Sequence, residues 1–363
     1  MAKARSRSRT RSEEVGPRHL VSMIVPCHNG EPYLAACLES VLAQTHRPLE
    51  LSFWNDASSD GSLTVLDGFR ERLAAAVIEL RVGHTGAEGP RGAGYAKGQA
   101  IEQSHGEFLC FLDCDDECEP ERAEKQLALA LDDTTALVGC NFRREPATAT
   151  PQYAAWLNGL TEERLVLEQF CECTIIMPTW FCHRDVIGAA GGLSTTGHAG
   201  TVEDLLIFHE HLKLGRRLRK VPEALVTYRQ HPGQISVSSV PFSAIWEVRL
   251  RFLDEHLLSR VDRFSIASAG RDAKRMYRQL PLGIRAKCAC FVDCDARKLS
   301  SATAGVHDQE LGRRIPVVAY GPGLATPLIV CWKRGFDAES EGALALLGLS
   351  EGSDYWHFFR LYT

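Results

Sequence analysis

The sequence predicts an α/β fold, a mostly parallel sheet flanked by helices, followed by a second and smaller α/β unit. Two observations carry this. Short apolar runs alternate with segments of helical periodicity from Val21 to Asp113, and such alternation builds parallel sheets. A fresh strand–helix–strand series then opens near residue 260, long enough for a small domain.

The elements follow in order. VSMIV (21–25) is an apolar run that stops at Pro26 and reads as a buried strand. Glu31-Pro32 starts a helix, with Pro in the first turn and Leu34, Leu38, Val41 and Leu42 at helical spacing. LELSFW (49–54) is the second strand and ends at the polar turn NDASSDGS. A helix follows through Leu63, Leu66, Phe69 and Leu73, then a third strand, VIELRV (77–82). GPRGAGYAKGQAIEQ leads into a helix, and EFLCFLD (107–113) is the fourth strand. Further on, TIIMPTWFCHR (174–184) is strand-like, GTVEDLLIFHEHLKLG (200–215) is an amphipathic helix, and 241–258 is another helix. Beyond it, FSIAS (264–268) opens a new strand, followed by AGRDAKRMYRQL, AKCACFVDCD, IPVV and PLIVCW. The expected division is a basic leader over 1–19, a main domain over 20–259 and a small Rossmann-like domain over 260–363.

Composition narrows the function classes. Across 363 residues the formal net charge is −5, which gives no general surface for nucleic acid, because phosphate contact needs concentrated positive charge. The exception is the leader, with Lys3, Arg5, Arg7, Arg9, Arg11 and Arg18; it has too few apolar residues to order itself. No apolar core follows it as in a secretory signal, and no apolar run is long enough to span a bilayer. A soluble cytoplasmic chain is expected, with nuclear entry left open by the leader. The 13 cysteines are odd in number, and many sit inside apolar runs. They read as reduced thiols rather than a disulfide framework.

In open sheets of this kind ligands bind beyond the carboxyl ends of the strands. The groups there are Pro26-Cys27-His28-Asn29, Asn55-Asp56 and Asp113-Cys114-Asp115-Asp116. FLDCDDECEPE crowds Asp113, Asp115, Asp116, Glu117 and Glu119 together. Like charges this close repel unless a cation sits among them. A hard divalent ion, Mn²⁺ or Mg²⁺, shared with a substrate diphosphate would supply it. The alternative is a solvated acidic loop ahead of a helix, whose first turn favours carboxylates. Asp56 ends another strand on the same rim and is suited to accept from the imide N–H of a uracil, or to close an Asx turn.

These segments carry a family resemblance. VSMIVPCHNGEPYLAACLESVLAQ, the NDASSDGS turn and GEFLCFLDCDDECEPER together resemble family 2 glycosyltransferases with the GT-A fold. The similarity is greatest to the β-1,3-N-acetylglucosaminyltransferase-like members and runs from about Val21 to His231. The resemblance implies an inverting, metal-dependent transfer of sugar, N-acetylglucosamine by kinship, from a UDP-sugar donor to a glycan or other hydroxyl acceptor. It implies Asp56 as the donor-base contact and Asp113 with Asp115 as the D-x-D pair meeting ribose, metal and diphosphate. Pro26 lies on the same donor side. Two positions depart from the family pattern. The usual acidic pair at the second strand end reads Asn55-Asp56, and the common A-R-N step reads Ala96-Lys97-Gly98. Lys97 keeps the charge but loses the planar fork of Arg, which Arg91 could supply. The departures leave a second reading: a degenerate relative that binds nucleotide or a partner and transfers nothing.

A sugar hydroxyl needs a base. Glu203-Asp204 matches the family's E-D pair, and the resemblance makes Asp204 the base with Glu203 on the acceptor side; both could equally be acids of a helix N-terminus. His231 lies where the family often has a histidine that can approach the metal, or is a loop residue beside Pro232. Trp180 either paves the acceptor side or fills the core. His209 and His211 are two apart on a helix and face different directions. In the C-terminal segment the turn has Gly270 where a dinucleotide fingerprint has three glycines. Arg271 and Asp272 are expected to obstruct a pyrophosphate, which favours a structural or partner-binding role.

Overall fold

The structure, a computed structural model, describes residues 19–86, 88–193, 202–234, 242–300, 305–332 and 338–359. The basic leader lies outside the described residues except for His19.

The first half alternates as expected. β1 (Val21–Cys27) leads to α1 (Glu31–Leu42), β2 (Leu49–Asn55), α2 (Ser62–Ala75), β3 (Ile78–His84), α3 (Ala93–Gln103) and β4 (Phe108–Phe111). Then come β5 (Glu117–Cys118), α4 (Arg122–Asp132), β6 (Leu137–Glu145), α5 (Pro151–Gly159) and α6 (Glu162–Leu167). β7 (Phe181–His183), α7 (Arg184–Ala189), α8 (Glu203–Lys213) and β8 (Leu218–Arg229) complete the series. These eight strands form one sheet in the order β3-β2-β1-β4-β7-β6-β8-β5. The β3-β2-β1-β4 half is parallel throughout, and β7 is antiparallel to both its neighbours. Every residue of β1 is buried, which is why its sequence is a continuous apolar run rather than an alternating one.

Two boundaries differ from the sequence reading. β1 continues through Pro26 to Cys27. Pro26 is tolerated because β4 has already ended opposite Ile24, so one side of the strand end needs no ladder bond. The strand-like 174–184 is instead a 3₁₀ turn at Met177–Thr179 followed by the three-residue β7. Pro178 holds the turn, since it fixes φ and offers no N–H to a ladder.

After α9 (Phe242–His256) the chain builds a second sheet. Its elements are β9 (Phe264–Ala267), α10 (Arg271–Gln279), α11 (Leu282–Lys287), β10 (Cys288–Val292), α12 (Ala296–Leu299), β11 (Gly305–Asp308), β12 (Arg313–Val318), β13 (Leu328–Val330), α13 (Ala338–Leu346) and β14 (Tyr355–His357). The order is β11-β12-β10-β9-β13-β14, parallel except for β11. All 13 cysteines are free thiols.

The two sheets share packing. Phe170, Trp180, Phe208 and Phe252 lie in the same apolar cluster as Phe264, Tyr277, Phe291 and Phe358. Arg249 of α9 is buried at the junction, and its guanidinium donates to the Phe170 and Phe359 carbonyls. Burial pulls its pKa down, with Glu172 opposing. Arg249→Met would leave those carbonyls without donors. We expect it to lower stability by about 2 kcal/mol or more, within one cooperative urea transition followed by circular dichroism. Separate melting of the second sheet would contradict a shared core.

Candidate active site

The carboxyl ends of β1, β2 and β4 form one rim, since these strands are adjacent and parallel. Pro26 is buried in the last part of β1, and the chain surfaces only at His28 and Asn29. Asn55 accepts from the Ser58 amide and closes the turn that starts α2. The amide that replaces an acid here has a local structural task.

Asp56 sits at the expected strand end, but it is buried and its carboxylate is occupied. One oxygen accepts from the Thr85 hydroxyl at 2.6 Å, and the other from the Gly92 amide at 2.7 Å. The Arg91 amide lies 3.0 Å from both. Thr85 in turn accepts from the Trp54 indole. Asp56 therefore pins the segment leading into α3, and a nucleobase would reach it only when that segment gives way. The Arg91 guanidinium lies over the Tyr95 ring.

Lys97, on α3, is buried, and its Nζ lies 2.9 Å from Asp113 Oδ1. Burial alone would push its pKa down. Asp113, Glu203 and Asp204 outweigh that and hold it above the ordinary lysine value. A single ammonium thus joins the acidic strand end to the acids that open α8. Glycines permit this approach. A Cβ at Gly94 would stand 3.0 Å from the Glu203 side chain, and one at Gly98 would stand 3.3 Å from the Leu193 carbonyl. The Lys97-Gly98 departure is therefore a matched pair: the glycine brings the neighbouring chain close, and the lysine meets its acids.

Asp113, Asp115 and Asp116 each place a carboxylate oxygen within 4.8 Å of the other two. Asp115 also accepts from His231 Nε2 at 2.9 Å. Burial and the neighbouring Asp113 raise the Asp115 pKa, against the pull of His231. Asp116 is fully buried; burial, then Asp115 and Asp113, push its pKa well up, with Arg229 opposing. One of its oxygens accepts from the Arg229 amide, and the other is buried without a partner. Three crowded carboxylates with an unmatched buried oxygen fit a hard divalent cation. His231 stacks on Tyr33 at 4.4 Å between ring centres, which fixes it beside Asp115.

Glu203 and Asp204 open α8. Burial raises the pKa of both; Lys97 opposes it in each, after the Leu205 amide in the case of Asp204. A carboxylate held above its ordinary range is a better proton acceptor near neutral pH.

Trp180 is a correction. It is fully buried, its indole donates to the Ile175 carbonyl, and its ring meets Phe111 edge-on. No face is left for a sugar. His209 and His211 are likewise structural, the first stacked on Phe252 and the second bonded to the Arg217 carbonyl. Sequence reasoning left Asp116 beside the pair without a role, and it missed Arg229 and Tyr33. Arg229 donates to the Asp115 carbonyl and pairs with Glu117 and Glu145. Its place at the end of β8, two residues before His231, was the available signal.

Comparison with known proteins places this geometry. Residues 22–188 match the family model described as Glycosyl transferase family 2. EpsJ, an uncharacterized glycosyltransferase of Bacillus subtilis (strain 168), is 24% identical over 279 residues, 74% of this chain and 78% of EpsJ. WfgD of Escherichia coli, a UDP-Glc:α-D-GlcNAc-diphosphoundecaprenol β-1,3-glucosyltransferase, is 30% identical over 125 residues, 34% of this chain and 46% of WfgD. The crystal structure of S. aureus TarS 1–349 in complex with UDP-GlcNAc superposes with a TM-score of 0.53 at 20% identity, over 66% of this chain and 67% of that one. The architecture is that of GT-A glycosyltransferases.

Lys97→Met leaves Asp113, Glu203 and Asp204 facing one another without a counter-charge. It should cost about 3 kcal/mol or more in urea denaturation, and adding Glu203→Gln should recover part of the loss. Additive losses in the double variant would show that Lys97 and Glu203 do not interact.

Proposed function

We propose that the chain, whose residues 22–188 match the Glycosyl transferase family 2 model, is a glycosyltransferase working on a nucleotide-sugar donor, and that it transfers N-acetylglucosamine from a UDP donor to an acceptor hydroxyl, with inversion. The convergence of Asp113, Glu203 and Asp204 on the buried Lys97 ammonium is the observation that carries this reading. It brings a strand-end acid and a candidate base to one point of the rim.

In this reading Asp113, Asp115 and Asp116 hold Mn²⁺ or Mg²⁺, with His231 orienting Asp115. The bound cation would neutralise charge on the departing diphosphate. Asp204 takes the proton of the acceptor hydroxyl as that oxygen forms its bond to the anomeric carbon. The bond from that carbon to the diphosphate breaks on the opposite face, so one displacement inverts the centre. Lys97 steadies Asp204 and Asp113 together and is a positioning residue. Glu203 lies on the acceptor side of the same pair. N-acetylglucosamine as the sugar rests on the likeness to β-1,3-N-acetylglucosaminyltransferase-like sequences.

The occupied Asp56 favours one second reading, a nucleotide- or partner-binding relative that transfers nothing. Turnover separates the two. Purified protein with UDP-N-acetylglucosamine, Mn²⁺ and a panel of glycan and other hydroxyl acceptors should show a raised melting temperature and release UDP, and EDTA should abolish both. Asp204→Asn should keep the donor-induced shift while slowing release about 10²-fold or more. A donor shift without release in the unaltered chain would establish the binding module. Release unchanged in Asp204→Asn would remove Asp204 as the base.

A further inference from the structure

Two thiols meet at the acidic rim. The β1–β4 ladder pairs Ile24 with Phe111, and the Leu112 amide donates to the Ile24 carbonyl at 3.1 Å. Three residues on from that pair, Cys27 closes β1 and Cys114 stands between Asp113 and Asp115. Adjacent strands lie about 4.8 Å apart, within the roughly 4.4–6.8 Å between Cα atoms that a disulfide spans.

Gly30 makes the room in which the sulfurs meet. A Cβ there would stand 2.8 Å from Cys114 Sγ and 2.9 Å from Cys27 Sγ. Its φ of −94° is open to any residue, so the glycine supplies space rather than a special backbone conformation. The Cys114 thiol donates to the Cys27 sulfur and, against burial, holds the Cys27 pKa below the ordinary thiol value; Ser62, the Gly30 amide and Ser58 help. The thiolate is the form that attacks an oxidant. Neighbouring thiols are engaged elsewhere: Cys37 donates to the Asp113 carbonyl, and Cys118 accepts from the Gln44 amide. Burial pushes both of those up. Cys27 and Cys114 are themselves buried free thiols, and the chain surfaces immediately after Cys27 at His28 and Asn29. A small oxidant is therefore the one that fits.

We propose that Cys27 and Cys114 are a peroxide-sensitive dithiol whose disulfide ties the end of β1 to the acidic turn and weakens its hold on a divalent cation. The Cys27 thiolate, its proton given to solvent, attacks one oxygen of hydrogen peroxide. The O–O bond breaks, Cys27 becomes a sulfenic acid, and the departing hydroxide takes the Cys114 proton to leave as water. The Cys114 thiolate then attacks the Cys27 sulfur and the S–O bond breaks. That second hydroxide regains the proton from solvent, so two thiols and one peroxide give one disulfide and two waters. An S–S bond of about 2.05 Å is far shorter than a thiol hydrogen bond, so Cys114 moves toward β1 and carries Asp113 and Asp115 with it. The effect on the cation rests on the reading of Asp113, Asp115 and Asp116 as the metal site.

The full chain, folded and reduced, is treated with an equivalent of hydrogen peroxide, alkylated and mapped by mass spectrometry. The Cys27–Cys114 cross-link should form ahead of any other among the 13 cysteines and be reversed by dithiothreitol. Gly30→Ala keeps both thiols but fills the space between them and should suppress the cross-link; its urea midpoint shows that the fold persists. After the peroxide is removed, calorimetry should find Mn²⁺ binding weakened about tenfold, and Cys27→Ser should make Mn²⁺ binding indifferent to peroxide. No cross-link, or one that Gly30→Ala leaves unchanged, overturns the dithiol. A cross-link that leaves Mn²⁺ affinity unaltered overturns its control of the rim. A reduced chain that binds no Mn²⁺ counts against the metal reading instead, because the mapping needs neither metal nor donor.

Discussion

The site is organised around one buried positive charge. Lys97 contributes an ammonium to a region that collects acids from two distant parts of the chain, the end of β4 and the start of α8. Without it, three carboxylates would face one another in a poorly hydrated space, and burial would drive them toward protonation. With it, Asp113 stays beside Asp115 and Asp116, and the α8 acids stay within reach of the rim. The glycines at 94 and 98 serve the same end, because side chains there would push α8 and Leu193 away from α3.

Charge balance across the rim explains the division of labour among the remaining acids. Asp113 pairs with the Lys97 ammonium, while Asp115 and one oxygen of Asp116 have hydrogen bonds, with His231 and from the Arg229 amide. The buried Asp116 oxygen is left over. The protein's own groups therefore compensate the cluster incompletely, which is the electrostatic argument for a divalent ion. Asp56 differs, since its partners are the backbone amides of the chain entering α3. Asp56 and the position of Lys97 are thereby linked through a short stretch of backbone.

Much of this was legible in the sequence. Continuous apolar runs gave β1, β2 and β4, and their polar ends located the rim, because burial on both faces erases alternation while strand ends must surface. The acids at 113, 115 and 204 were legible as motifs. What was not legible depended on packing between distant segments. The sequence leaves Trp180 open between the acceptor side and the core, and the 3₁₀ turn at Met177–Thr179 turns it into the core. The occupancy of Asp56 arises from Thr85, Arg91 and Gly92, which no local pattern connects to it.

The most direct test of the account is a crystal structure grown with Mn²⁺ and UDP, read by anomalous scattering at the manganese edge. The account predicts one peak within roughly 2.2 Å of carboxylate oxygens drawn from Asp113, Asp115 and Asp116, with Lys97 still paired to Asp113 and the diphosphate on the metal. UDP bound with no peak at those carboxylates, or with the metal held elsewhere, would contradict it.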